Sequence, residues 1–199
     1  MRTDTGHVFR LEDYRPSDYL IPRTDLTFQL DPDATLVRAE LSMVRRHGVA
    51  AGAPLVLDGD GLILKSVAVD GAALTPTDYT ASPDELVIAA PPAAQAFKVV
   101  LETEISPSSN SALMGLFRTN DVYCTQCEAE GFRRITYFLD RPDVLSVYTV
   151  RVEAPKSETP LLLSNGNLVE KGDLPGGRHF ATWHDPFPKP SYLFALVAG

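Results

Sequence analysis

A chain of 199 residues, 44% hydrophobic and 22% charged, has ordinary globular composition and is long enough to bury well over half of its unfolded surface. Its formal net charge of -8 opposes binding to a phosphate backbone, which depends on clustered Lys and Arg, so no nucleic acid partner is expected. No apolar run approaches the roughly 20 residues that cross a bilayer, which leaves no expected membrane partner either.

The opening residues, Met1 to His7, lack the apolar core of a signal peptide, so the expected location is cytoplasmic, where thiols stay reduced. The first strong pattern follows at Leu26, Phe28 and Leu30, which alternate with polar neighbours. Val37, Ala39, Leu41 and Met43 repeat that alternation. A period of two places each apolar set on one face of a sheet. Arg45-Arg46-His47 is the one basic cluster, and it reads as a solvated strand end or turn.

Further strands are expected over Leu62 to Val69, Glu85 to Ala89, Phe97 to Ile105, Ser146 to Ala154, Leu161 to Leu163, His179 to Trp183 and Tyr192 to Val197. Asp58-Gly59-Asp60-Gly61 and Asp70-Gly71 supply positive-φ turn positions, and Ser164-Asn165-Gly166-Asn167 reads as a tight hairpin between two β-rich runs. Asp140 before Arg141-Pro142-Asp143 is the best helix start, a potential N-cap for a turn or two. No longer window carries a helical apolar stripe. Many short strands separated by turns predict an all-β fold, a sandwich or otherwise folded antiparallel sheet.

The densest chemistry lies between Cys124 and Val144. Cys124-Thr125-Gln126-Cys127 has C-x-x-C spacing, but no second pair or clustered histidines complete four zinc ligands, and no βαβ setting supports a redox pair. Structural free thiols are the favoured reading, and no metal is assigned to the chain. Gln126, Glu128 and Glu130 alternate, so an extended segment would point them to one face. Two carboxylates and an amide there would suit an ammonium group, whose three donors need acceptors. From spacing alone, a solvated strand edge with Arg133 and Arg134 as ion-pair partners is the simpler reading. His184-Asp185 beside Trp183 is read as structural, preceding a proline-rich turn. No G-x-S-x-G elbow or glycine-rich phosphate loop is present.

Gln126-x-Glu128 within Cys124 to Phe132, together with Asp13-Tyr14-Arg15, Glu104-Ile105-Ser106-Pro107, Leu162 to Asn167 and the closing Trp183 to Gly199, resembles the amino-terminal domain of bacterial aminopeptidase N, a thermolysin-like zinc aminopeptidase family. The resemblance implies a saddle-like antiparallel β-sandwich, with residues 1–199 as a single N-terminal β-domain and the catalytic and C-terminal domains of the parent absent. It implies Glu128 as an anchor for the substrate's α-amino group and Gln126 as a supporting contact in the first specificity pocket. Zinc belongs to the full-length parent, since neither H-E-x-x-H nor G-x-M-E-N occurs in this chain; no catalytic residue and no cofactor are assigned to it, and it is expected to be inactive alone. The expected partners are a peptide substrate and the catalytic domain of the same polypeptide. The alternative is a stand-alone β-sandwich that binds peptides or proteins without chemistry, by strand addition at an exposed edge.

Overall fold

The computed structural model describes residues 10–199; the expectation drawn from Met1 to His7 lies outside them. Among the described residues there are fifteen strands: β1 (Tyr19–Gln29), β2 (Thr35–Arg45), β3 (Leu55–Asp58), β4 (Ile63–Val69), β5 (Ala72–Ala73), β6 (Tyr79–Ser82), β7 (Glu85–Ile88), β8 (Ala96–Ile105), β9 (Gly115–Thr119), β10 (Val122–Gln126), β11 (Leu145–Pro155), β12 (Leu162–Ser164), β13 (Asn167–Leu174), β14 (Arg178–Pro190) and β15 (Leu196–Ala198). Among the described residues the only helical elements are single 3-10 turns. The all-β expectation therefore holds.

One eight-stranded sheet runs β13-β14-β11-β1-β2-β8-β4-β5, and two smaller sheets, β12-β15-β10-β9 and β3-β7-β6, accompany it. The alternating residues of the large sheet supply its buried face. Phe28, Val37, Leu41, Val99, Leu101 and Val150 pack in one apolar cluster with Leu55, Leu57 and Leu86 of the three-stranded sheet and Leu116, Tyr123 and Leu196 of the four-stranded one. The intervening positions carry charge: Lys98 Nζ lies 2.9 Å from Glu40 Oε2 and Lys65 Nζ 3.1 Å from Glu104 Oε2. This is a sandwich-like layering in which the central strands β1, β2, β8 and β11 alternate buried with wetter positions.

The pairing is antiparallel except between β1 and β11, which run parallel from Arg23↔Val147 to Gln29↔Glu153. β1 begins well before the alternation at Leu26, and its register shifts between Leu20 and Arg23, where Pro22 cannot donate to the ladder. β14 likewise continues past Trp183 through Pro186 and Pro188, with a register shift between the positions opposite Ser146 and Tyr148. The expected proline-rich turn is thus a bulged strand. The expected closing strand at Tyr192 is instead a 3-10 turn (Ser191–Leu193) leading into β15.

Ser164 to Asn167 does not close a hairpin. β12 pairs with β15 and β13 with β14, so Asn165-Gly166 carries the chain from one sheet to another. Gly166 is required at that crossing, because its φ is +86° and a Cβ would stand 2.3 Å from the His184 carbonyl oxygen. Nor does Asp140 cap a helix. Its side chain is buried and turned inward, and the residues after it form only a turn closed by Val144 N–H on Arg141 O at 3.2 Å.

Candidate functional site

β10 ends at Gln126, and the chain turns at once. Cys127 is buried, Gly131 N–H donates to Cys127 O at 2.9 Å, and a 3-10 turn over Phe132–Arg134 follows. A Cβ on Gly131 would lie 2.3 Å from Gln126 O and 2.8 Å from Cys127 Cα, so the backbone folds back on itself more closely than any side chain allows. The Glu128–Ala129 peptide bond is cis.

This geometry corrects the expectation of one extended face. Gln126 stands exposed at the strand end, and its Nε2 donates to the Glu128 carbonyl at 3.2 Å. Glu128 is exposed on the turn, and among the described residues its carboxylate has no hydrogen-bond or ion-pair partner. Glu130 is drawn off instead by Arg133, with Oε1 3.3 Å from the guanidinium. Among the described residues, Glu128 is therefore left without an ion-pair partner beside Gln126, and Glu130 is paired. Arg134 does not pair with any of the three; its Nη1 meets Asp60 Oδ2 at 2.9 Å.

The turn stands on an apolar and ionic base. Phe132 is fully buried, with its ring 4.7 Å from Phe138 and 5.2 Å from Phe194 between centroids. Phe138 forms a two-hydrogen-bond bridge with Asp58, and Asp60 N–H donates to Arg133 O at 3.0 Å. Asp140 accepts from the backbone N–H and the Nε–H of Arg133, both at 3.1 Å, and from Ser191 Oγ–H at 2.5 Å. Its own carbonyl accepts from Arg133 Nη2 at 2.9 Å. Sequence reading missed this network, although a signal existed: an arginine inside the apolar run Phe132 to Leu139 has to find a buried acid.

Cys124 is half-buried on β10, Cys127 is buried, and both are free thiols. Burial, and secondarily the charge of Asp140, push the Cys127 thiol well above its ordinary pKa, which suits a packed side chain and not a metal ligand or nucleophile. Among the described residues no three His, Cys, Asp or Glu side chains converge as a metal site would require. His184 and Asp185 are likewise apart in role: His184 Nδ1 meets Thr149 Oγ1 at 3.2 Å, while Asp185 pairs with Lys189 Nζ at 2.7 Å. Neither the cleft of about 450 Å³ beside Val69, Leu74, Ile88 and Pro91 nor that of about 300 Å³ beside Asp60, Glu104, Asn110 and Arg134 includes Gln126 or Glu128.

Comparison with known proteins places this geometry in a family. The sequence pattern described as "Peptidase M1 N-terminal domain" matches residues 19–193. Aminopeptidase N of Caulobacter vibrioides is 58% identical over 199 residues, covering 100% of this chain and 22% of that protein. The crystal structure of Legionella pneumophila aminopeptidase A in complex with aspartic acid superposes with a TM-score of 0.89 at 38% identity, covering 96% of this chain and 22% of that one. A mutant M1 zinc metallopeptidase of Deinococcus radiodurans bound to a Tyr-Ser-Ala substrate shares the fold, with a TM-score of 0.77 at 17% identity over 92% of this chain and 42% of that one. The chain spans about a fifth of the length of the curated relative it matches.

Proposed function

The chain belongs to the peptidase M1 N-terminal domain family, and from that membership we propose that it serves as the substrate-facing amino-terminal domain of a zinc aminopeptidase. Its parent removes amino-terminal residues from peptides. Zinc, when bound there, would supply a polarised water for attack on the scissile carbonyl, and it would be held by the parent's catalytic domain, since no ligand set converges among the described residues of this chain. The domain's own contribution is recognition: it caps the active site and is inactive alone.

The observation that carries this reading is the free carboxylate of Glu128. Among the described residues it sits exposed and without a partner on a turn whose base is buried, while the neighbouring Glu130 is paired with Arg133 at 3.3 Å. A substrate ammonium brings three donors; Glu128 accepts one in a charge-assisted bond, and the Gln126 amide oxygen accepts another. Requiring a cation at this point enforces cleavage from a free amino terminus. Leu145, Phe187 and Leu193 remain exposed where β11 begins and β14 ends, which supports docking against the catalytic domain of the same polypeptide.

The test is the full-length parent carrying Glu128→Ala, Glu128→Gln or Gln126→Ala, assayed on an unblocked amino-acyl arylamide with zinc content measured in parallel. An ammonium about 3 Å from a carboxylate gains roughly 5 kcal/mol at an effective dielectric near 20, much of it offset by desolvation. Glu128→Ala is expected to lose about 2 to 4 kcal/mol, on the order of 30- to 1,000-fold in kcat/KM. Glu128→Gln loses less because an amide oxygen still accepts, and Gln126→Ala loses about 1 kcal/mol. Wild-type kcat/KM in Glu128→Ala with zinc intact would return the turn to a solvated edge and favour a binding module without chemistry.

A further inference from the structure

The Arg133–Asp140 pair lies on neither the exposed surface nor the proposed substrate contact, yet it reaches the Glu128 turn from both sides. Through its fork and backbone N–H, Arg133 is fixed to Asp140 at 3.1 Å, and the same guanidinium holds Glu130 at 3.3 Å. One residue before that 3-10 turn, Gly131 N–H closes the loop on Cys127 O, immediately before Glu128. On the other side, the remaining oxygen of Asp140 takes the Ser191 hydroxyl at 2.5 Å. Ser191 opens the 3-10 turn that leads to β15, and β15 pairs with β10 at Tyr123↔Ala198 and Cys124↔Val197. Both ends of the turn are thus referred to one buried carboxylate.

We propose that Asp140 and Arg133 are positioning residues for Glu128, fixing the turn and removing Glu130 from competition so that a single free carboxylate faces the substrate ammonium. The inference rests on the anchoring role proposed for Glu128. A purely structural ion pair would support the fold equally well as an apolar pair of the same volume. It would have no need to engage Glu130, and its loss would weaken every activity of the parent alike. A positioning pair has a narrower consequence, because it acts only through Glu128.

A kinetic double-mutant cycle in the full-length parent separates the two. Asp140→Asn is measured in the wild-type and Glu128→Ala backgrounds, using kcat/KM on an amino-acyl arylamide, with melting temperature and zinc content followed in each variant. Displacing a binding group by about 1 Å costs up to about 100-fold. Asp140→Asn removes the buried charge that holds the Arg133 guanidinium and leaves it drawn toward Glu130 and Asp58, at 3.3 and 3.8 Å, so it is expected to lower kcat/KM about 10- to 100-fold in the wild-type background, and less than about threefold where Glu128 is already gone. Ser191→Ala removes one hydrogen bond and leaves the pair in place; its expected loss is about fivefold, again confined to the background that keeps Glu128. Should Asp140→Asn yield no folded protein, the Ser191→Ala cycle carries the same comparison. Equal losses in both backgrounds, or wild-type kcat/KM in Asp140→Asn, would overturn the positioning role. Wild-type activity in Glu128→Ala alone would instead overturn the anchor, and this inference with it, so the two failures are read from different variants.

Discussion

Asp140→Asn also isolates what the buried charge contributes to stability. The substitution keeps the volume of a side chain only 1% exposed, and its amide oxygen can still accept both Arg133 donors. The Ser191 hydroxyl can rotate to accept from the new amide. What disappears is the negative charge opposite a guanidinium that is 7% exposed. Its other acids compensate weakly, since Glu130 at 3.3 Å is 55% exposed and Asp58 at 3.8 Å is 40% exposed. Breaking a buried pair from one side costs about 3–5 kcal/mol. With the hydrogen bonds kept and two wet acids nearby, about 2–3 kcal/mol is expected, or roughly 5–10 °C in Tm for a chain of this size. Asp140→Ala leaves donors unsatisfied as well, adding about 1–3 kcal/mol for each buried group. The double replacement Arg133→Met with Asp140→Leu should recover most of the loss. Urea unfolding of the chain, with the slope m checked for constancy, measures each value. An Asp140→Asn variant within about 0.5 kcal/mol of the unmodified chain at equal m, or a double variant less stable than either single one, would refute the electrostatic account.

How far the sequence reached depended on whether a feature was local. The alternation at Val37 to Met43 and Phe97 to Ile105 marked β2 and β8 because a half-buried strand must repeat every two residues, and both pack as read. The parallel pairing of β1 with β11 leaves no such trace, being a partnership between segments more than a hundred residues apart. Asn165-Gly166 shows the same boundary: its turn chemistry was legible, but which sheets its flanking strands join is decided elsewhere, by β14 and β15. The turn between β9 and β10 was within reach, since Asn120 and Asp121 both take positive φ, and Asn and Asp tolerate it better than other non-glycine residues. At the site, Gln126 and Glu128 were marked by family resemblance, whereas their shared extended face was an error of period. Polar alternation has no apolar face to hold it straight, and Gly131 lets the chain fold back. Asp140 was misread for a related reason, because an acid before a turn looks the same whether it caps a helix or receives an arginine seven residues away.

Cys124 should react with iodoacetamide at mildly alkaline pH well before Cys127, whose thiol is buried and shifted upward; labelling of Cys127 first, followed by mass spectrometry of the native chain, would contradict that burial. Gly131→Ala should destabilise the chain by on the order of 2–4 kcal/mol, because its Cβ would meet Gln126 O at 2.3 Å and the backbone must move; near-wild-type urea unfolding would show that the turn yields freely. The last expectation concerns acid. Glu40 lies below its ordinary carboxyl pKa of 4.5 because the Lys98 ammonium, and then Arg38, hydrogen-bond its charged form. With the folded pKa depressed, this stabilisation is fully present above the unfolded value and is lost as pH falls through the folded one. Glu40→Gln should therefore be less stable than the unmodified chain at pH 7, and the gap should close as pH drops below about 4. Burial of the carboxyl works in the opposite direction but ranks behind both hydrogen bonds. A gap that stayed constant from pH 7 to pH 3 would mean that the Lys98–Glu40–Arg38 cluster contributes through packing of its side-chain stems, and not through its charge.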